Sequence, residues 1–301
     1  MKIGIITEDV CSLPEKMISD FGIEIVKTRL YFPEWEKPST RAELGAGLVP
    51  HRNEVSGVGF PEKNLYQLMV ETKATPKTSA PPPGDYLKAY KKVLENHEMA
   101  LVITLSSKLS ACYNSAFQAR EIFENPERIF ILDSLQAVAA QGLLVLRAVE
   151  LINERKEINE ILEVLEKLKR KIKLFGFLRT TYWAEKIGRI SKKMALAFTT
   201  LRVLGVYPYF GTREGKIGFS GFNLWTYDEL EAMFNQLKHC TKKGKIRVGI
   251  NYTDNADIAL KLKEKLEKDL KAEVLFVSMV PPIVGANSGP GTLITACYNI
   301  E

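Results

Sequence analysis

Leu101–Ala119, LVITLSSKLSACYNSAFQA, carries the transition on which the fold turns. Leu101–Leu105 is a run of five apolar or β-branched residues, the composition of a short buried strand, and a helical pattern with Tyr113, Phe117 and Arg120 on neighbouring turns follows. Between them Ser106, Ser107, Lys108 and Ser110 form a hydroxyl-rich turn. A helix N-terminus offers unpaired N–H donors and a partial positive charge. Ser110 is therefore expected as an N-cap, placed either to close its own helix or to help hold a carboxylate or phosphate.

Outward from this turn, strands and helices alternate. Lys2–Thr7 reads as an opening strand, Ser12 and Glu15 have capping-box spacing for a helix through Phe21, and Ile23–Tyr31 reads as a second strand. Residues 32–59 lose periodicity and read as an insertion or lid. A helix is expected over Pro61–Lys73. In Pro76–Gly84, PKTSAPPPG, prolines fix φ and remove donors, so a rigid extended loop is expected. Helices over Asp85–Asn96 and Ala137–Asn153, with a strand at Ile129–Leu132, complete a pattern that predicts a largely parallel sheet flanked by helices. Ligands of such sheets gather beyond the carboxyl ends of the strands, where Ser106–Ser110 lies.

A chain of 301 residues is long for one core, and two α/β domains are expected, 1–155 and 156–301. In the second, helices are expected at Ile158–Leu168, Thr180–Ile187, Ser191–Val203, Leu224–Leu237 and Ala256–Leu270. Strands are expected at Lys173–Leu178, Ile246–Tyr252, Glu273–Val277 and Thr292–Tyr298, with Val206–Phe210 and Lys216–Phe219 pairing about Arg213–Gly215. Pro281–Gly291 reads as a Pro/Gly loop whose amides could cradle an anion.

Composition narrows the function classes. With 46% hydrophobic and 26% charged residues the chain has the make-up of a soluble globular protein, and no apolar run reaches the roughly 18 residues of a membrane span. A cytoplasmic location is expected. The net charge of +6 arises from lysine mixed with glutamate on helical faces, whereas nucleic acid calls for a single-sign patch with interleaved aromatics. Cys11, Cys112, Cys240 and Cys297 show no CxxC spacing, so reduced thiols are expected; no metal ligand set and no glycine-rich nucleotide motif is visible, and no cofactor is implied. A nucleophilic serine needs a base, and the chain has only His51, His97 and His239. His97 precedes the strand that Ser107 follows, about 20–30 Å away at strand spacing. A serine-dependent acyl or phosphoryl ester hydrolase and a nucleic-acid-associated regulatory protein stand as alternatives to a binding protein.

Five stretches, in order, resemble the DegV family: TEDVCSLP (Thr7–Pro14), KTSAPPPGDYLKAY (Lys77–Tyr90), LSSKLSACYNSA (Leu105–Ala116), IGRISK (Ile187–Lys192) and VGANSGPG (Val284–Gly291), with ILDS (Ile131–Ser134) also similar. The resemblance covers nearly the whole chain except 32–59. It implies a two-domain α/β fold with a long-chain fatty acid, such as palmitate, stearate or oleate, in a buried tunnel between the domains. It also implies a non-catalytic role, in which several members present the acid to a separate fatty acid kinase. By position, Thr78 and Ser110 resemble the hydroxyls that hold the carboxylate, with Ser79, Ser106 and Ser107 as neighbours in the pocket and Asn287 and Ser288 on the facing loop. Arg189 matches an arginine linked to the acyl phosphate or the kinase; its alternative role is an interdomain ion pair.

Two departures from the family pattern bear on chemistry. Ala111 stands where glycine is common, and Asn287, Ser288, Gly289, Pro290 and Gly291 replace a family HTGPG loop. Asn287 donates an amide hydrogen bond but cannot titrate. For such a ligand, about sixteen buried methylenes at roughly 0.8 kcal/mol each contribute on the order of 13 kcal/mol before ordering costs, so the tail drives binding. The head group needs only hydrogen-bond satisfaction.

Overall fold

In the computed structural model, which describes residues 2–31, 54–56, 62–73, 75–186, 191–224, 226, 228–241 and 244–300, Ile3–Glu8 forms a strand (β1) buried along its whole length. A 3-10 turn, Asp9–Cys11, leads to a short helix, Glu15–Asp20 (α1). The expected capping box is not formed. Ser12 closes the 3-10 turn in the left-handed region and gives its hydroxyl to the Val10 carbonyl, leaving Pro14 before the helix without a side-chain cap.

Ile23–Tyr31 splits rather than forming one strand. Glu24–Val26 (β2) runs parallel to β1, while Arg29–Tyr31 (β3) enters a separate sheet. The cause lies at Thr28, whose N–H and hydroxyl both bond Asp9 Oδ1, at 3.2 and 2.8 Å, and pull the chain out of the ladder. Glu54–Ser56 (β4) and Lys77–Ser79 (β5) flank β3 antiparallel, so part of the expected proline-bounded loop is strand. Between them runs Glu62–Thr72 (α2). Residues 32–53 and 57–59 of the expected insertion lie outside the described residues.

Pro83–Leu94 (α3) opens on proline, whose missing N–H costs nothing in a first helical turn. Met99–Thr104 (β6), Cys112–Glu121 (α4), Ile129–Asp133 (β7) and Val138–Asn153 (α5) follow. The resulting sheet, ordered β2-β1-β6-β7, is parallel throughout, as the alternation predicts.

The remaining elements are Ile158–Lys171 (α6), Lys173–Phe177 (β8), Tyr182–Lys186 (α7), Lys192–Val203 (α8), Tyr207–Arg213 (β9), Lys216–Asn223 (β10), Glu229–Thr241 (α9), Ile246–Tyr252 (β11), Ala256–Leu270 (α10), Glu273–Met279 (β12), Pro282–Ser288 (α11) and Leu293–Asn299 (β13). Their sheet, β10-β9-β8-β13-β11-β12, is mixed, with β11 and β12 its parallel pair. The helix expected from Leu224 begins at Glu229 because Asp228 Oδ1 accepts the Leu230 N–H and starts it there. The expected Pro/Gly loop 281–291 is largely α11, a correction whose cause is tertiary and appears below.

α5 is apolar around most of its circumference, Arg147 and Glu150 excepted, and buried at most positions, the composition of a helix largely enclosed by protein. Its leucines, Leu143, Leu144, Leu146 and Leu151, belong to one core with Ile3, Leu101 and Leu132 of the first sheet and Phe276, Ile294 and Ala296 of the second. Each such leucine contributes about 2 kcal/mol by burial. The two sheets therefore share a core through α5.

Candidate functional site

β6 delivers the serine turn to the carboxyl end of the parallel sheet. Ser106 is buried, and its hydroxyl donates to the Gly215 carbonyl at 2.7 Å while accepting from Lys108 N–H at 3.2 Å. Asp133, at the end of β7, accepts from the N–H groups of Ser107 and Leu135 at 3.1 and 3.0 Å and fixes the turn from the side. Gly215 forms the tip of the β9–β10 hairpin at φ +82°, and a Cβ there would sit 2.7 Å from Ser106 Oγ. The hairpin thus closes onto the turn because glycine occupies its tip.

Ser110 does not cap α4. Ala111 holds the cap position without a side-chain bond, and Ser110, one residue earlier, turns its Oγ to Cys112, 3.4 Å from the N–H and 3.2 Å from Sγ. The cause is the backbone: Leu109 and Ser110 N–H both bond the Ser106 carbonyl, which closes a turn before the helix starts.

Thr78 lies on β5 directly opposite Leu30, and residues paired across a ladder share a face. Leu30 packs with Leu65, Tyr66, Met69, Trp183 and Ala286, so Thr78 is on the face turned toward α11. Ser79 alternates to the other face. In α11, Ser288 donates to the Val284 carbonyl at 3.0 Å and is spent on its own helix. The amides beyond are spent too: Gly289 N–H on Gly285 O at 2.7 Å, Gly291 N–H on Asp254 Oδ1 at 2.6 Å, and Thr292 N–H on Thr253 Oγ1 at 2.9 Å. This corrects the expectation that the loop offers its amides to an anion. Gly289 has φ +79° and lies where a Cβ would meet Trp183 Cδ1 at 2.0 Å, and Gly285 is pressed as closely by Tyr66. α11 forms because Tyr66, Trp183 and Leu30 pack on it, against the poor helix propensity of its residues.

Leu109, Ala80, Ile283 and Val284 all pack against the shared core, which brings the three motif segments to one apolar region. Among the described residues, the side chains of Thr78, Ser79, Ser107 and Asn287 have no hydrogen-bond partner. Thr78 and Ser79 are exposed, while Ser107 and Asn287 are half-buried. Arg189 lies outside the described residues. What these groups offer is hydrogen-bond donation to an acceptor such as a carboxylate.

No base serves the serines among the described residues. His97 Nδ1 bonds the Val93 carbonyl at 2.9 Å and its ring packs by Gly4, at the amino end of the sheet, while His239 ends α9 beside Cys240. The described residues also hold no cluster of three His, Cys, Asp or Glu fit for a metal, and no helix long and apolar enough to cross a membrane.

One functional group escapes a reading by pattern. Glu8, at the end of β1, is fully buried and takes hydrogen bonds from Tyr86 Oη at 2.5 Å, Leu105 N–H at 2.8 Å and Gln141 Nε2 at 2.9 Å. Burial raises its pKa above its ordinary value, although the three donors favour the charge. An acidic residue closing an apolar strand is the only trace of this in the sequence.

The model of the family described as "Uncharacterised protein, DegV family COG1307" matches residues 52–298. Among curated proteins, a fatty acid-binding protein of Thermotoga maritima is 27% identical, over 97% of this chain and 96% of its own. Among solved structures, a fatty acid-binding DegV family protein from Thermus thermophilus superposes with a TM-score of 0.81 at 24% identity, covering both chains completely. A stearic acid-binding protein from Eubacterium ventriosum gives 0.79 at 20%, over 99% of this chain and 98% of its own.

Proposed function

The chain belongs to the DegV family, and on that premise we propose that it binds one long-chain fatty acid, palmitate, stearate or oleate, in a tunnel between residues 1–155 and 156–301. Thr78 and Ser110 hold the carboxylate, with Ser107 and Asn287 around it, while Ser79 on the other face of β5 and Ser288 bonded within α11 take no part. The protein performs no chemistry itself. The observation that carries this reading is the pairing of uncommitted donors on Thr78, Ser107 and Asn287 with one apolar core that all three segments reach. Hydroxyls and an amide can satisfy a carboxylate without a counter-charge, while the tail supplies the affinity.

The acid is presented in the cytoplasm to a separate fatty acid kinase, and Arg189 is assigned to the phosphoryl group or that partner by its motif alone. Asn287 can orient the head group but cannot exchange a proton during transfer. Mass spectrometry of an organic extract of the purified protein tests the reading: an acyl chain in near-equimolar amount is expected. Absence of any acyl chain, together with no uptake of labelled palmitate or oleate, overturns it.

A further inference from the structure

A cavity of about 610 Å³ opens where α6 ends, β8 begins and α9 ends, a volume that suits a small organic molecule. Three exposed basic groups line it: Arg170 in the last turn of α6, Lys173 at the first position of β8 and His239 in the last turn of α9. The lining contains no aspartate or glutamate, and none of the three side chains has a hydrogen-bond or carboxylate partner among the described residues. Lys169, one residue before Arg170, shows the ordinary arrangement, with Nζ 2.7 Å from Glu166 Oε1 and 2.9 Å from the Asp133 carbonyl. Cations in a last helical turn complement the helix dipole, which accounts for Arg170 and His239. It does not account for Lys173, which opens a strand, or for the convergence of all three on one concavity.

The rest of the lining supplies neutral polar groups and a ring. Along β10, Phe219 pairs with Phe210 and Gly221 with Tyr209, so Ser220 is the extra residue of a bulge, a device that re-aims a side chain. Gly211 makes room for it, since a Cβ there would lie 2.8 Å from Ser220 Oγ. Gln236 is buried and gives Nε2 to Asn223 Oδ1 at 2.7 Å, but its Oε1, like Tyr209 Oη, has no hydrogen-bond partner among the described residues. Phe222 keeps 45% of its surface exposed. The wall is held in place, because Thr212 gives its hydroxyl to Gln136 Oε1 at 2.6 Å and Gln136 Nε2 bonds the Lys169 carbonyl at 2.8 Å.

We propose that this cavity is a second binding site, for a phosphorylated ring compound of mononucleotide size. Arg170 and Lys173 meet the phosphoryl oxygens, the first through its planar fork and the second as a point charge, and the Ser220 and Tyr209 hydroxyls add donors. Phe222 gives the ring a face to stack on, and Gln236 Oε1 accepts from a ring amino group or a sugar hydroxyl. Bare phosphate fits less well, because it leaves Phe222 idle and sets an anion near the Gln236 acceptor. The cavity shares no lining residue with Thr78, Ser107, Ser110 or Asn287, so the proposal stands apart from the fatty-acid reading.

AMP and UMP are titrated by calorimetry into the purified full chain at about 50 mM salt, and Kd values below about 1 mM are expected for both, since every base offers a face to stack. Adenosine and inorganic phosphate, each making part of the contacts, should bind at least about tenfold more weakly than AMP. Arg170→Gln and Lys173→Gln should each weaken AMP about tenfold. Phe222→Ser should weaken AMP and adenosine and leave phosphate unchanged. Lys238→Gln, exposed on α9 but outside the lining, should change nothing. No binding of either nucleotide up to about 5 mM overturns the proposal, as does inorganic phosphate binding as well as AMP, which marks a bare anion site. Equal losses in Lys173→Gln and Lys238→Gln overturn it by showing a diffuse basic surface, and an oligothymidine that binds far more tightly than UMP overturns it in favour of nucleic acid. If a variant fails to fold by circular dichroism, the comparison of ligands on the unaltered chain decides.

Discussion

The turn Ser106–Ser110 and the loop Gly285–Gly291 approach the same apolar region and dispose of their polar groups in opposite ways. In the turn, the backbone closes on the Ser106 carbonyl and the hydroxyls reach outward: Ser106 holds the hairpin tip at Gly215, and Ser110 leans on Cys112. In the loop, backbone amides carry the bonds, to Gly285, Asp254 and Thr253, while two glycines make room for Tyr66 and Trp183. A hydroxyl can change partner by rotating one bond, whereas an amide cannot turn without the chain around it. One wall of the proposed site is therefore adjustable in chemistry, and the other is fixed in shape.

The contrast breaks most severely at Gly289. Gly289→Val adds branching at φ +79° against Trp183, and a loss of about 3 kcal/mol or more in urea denaturation is expected. An unchanged midpoint would show that the loop is as adjustable as the turn. A pH-dependent effect comes next, at Glu8. Because its folded pKa is raised above the ordinary 4.5, its contribution to stability is fully present below that value and is lost as pH rises through the folded pKa. The urea midpoint of the ligand-free protein should therefore decline from acid toward neutral pH with a component that Glu8→Gln removes; equal slopes in both proteins would refute this.

Binding should respond more mildly than stability. Thr78→Ala combined with Ser110→Ala is expected to weaken palmitate by at most about 3 kcal/mol with an unchanged Tm, since the tail contacts remain. Loss of folding instead would make these hydroxyls structural. The smallest effects sharpen the comparison within one helix turn. Asn287→Ala, whose amide has no partner among the described residues, should cost about 1 kcal/mol in affinity and little stability, while Ser288→Ala, already bonded to Val284, should leave affinity unchanged by calorimetry.

How much was legible follows from where each stabilising interaction lies in the chain. Ile246–Tyr252 and Ala256–Leu270 match their expected ranges because the periodicity is strong and Asn255 caps the helix locally, accepting from Ile258 N–H at 3.2 Å. The β9–β10 hairpin was legible for the same reason, with Glu214 and Gly215 both at positive φ in a two-residue turn. The split of Ile23–Tyr31 was not, because it depends on Asp9, far back in the chain. Nor was α11, a short helix that includes proline, glycine, asparagine and serine and is held by aromatic residues from other elements. At the candidate site the residue types and their order were readable, but the idle state of Thr78 and Asn287 and the employment of Ser288 were not.

By itself the sequence determined the alternation of elements, the parallel sheet, the serine turn at its carboxyl end and the kinship of the chain, all of which reside in periodicity and motif order. The tertiary structure alone decided that Ser110 stands outside its helix, that the glycine loop has no amide to spare, and that Glu8 is buried among hydrogen bonds from Tyr86, Leu105 and Gln141. The physical reason is one of range. Propensity and periodicity act over a few neighbours, whereas the burial of a carboxylate depends on α3 and α5 arriving from some 78 and 133 residues away.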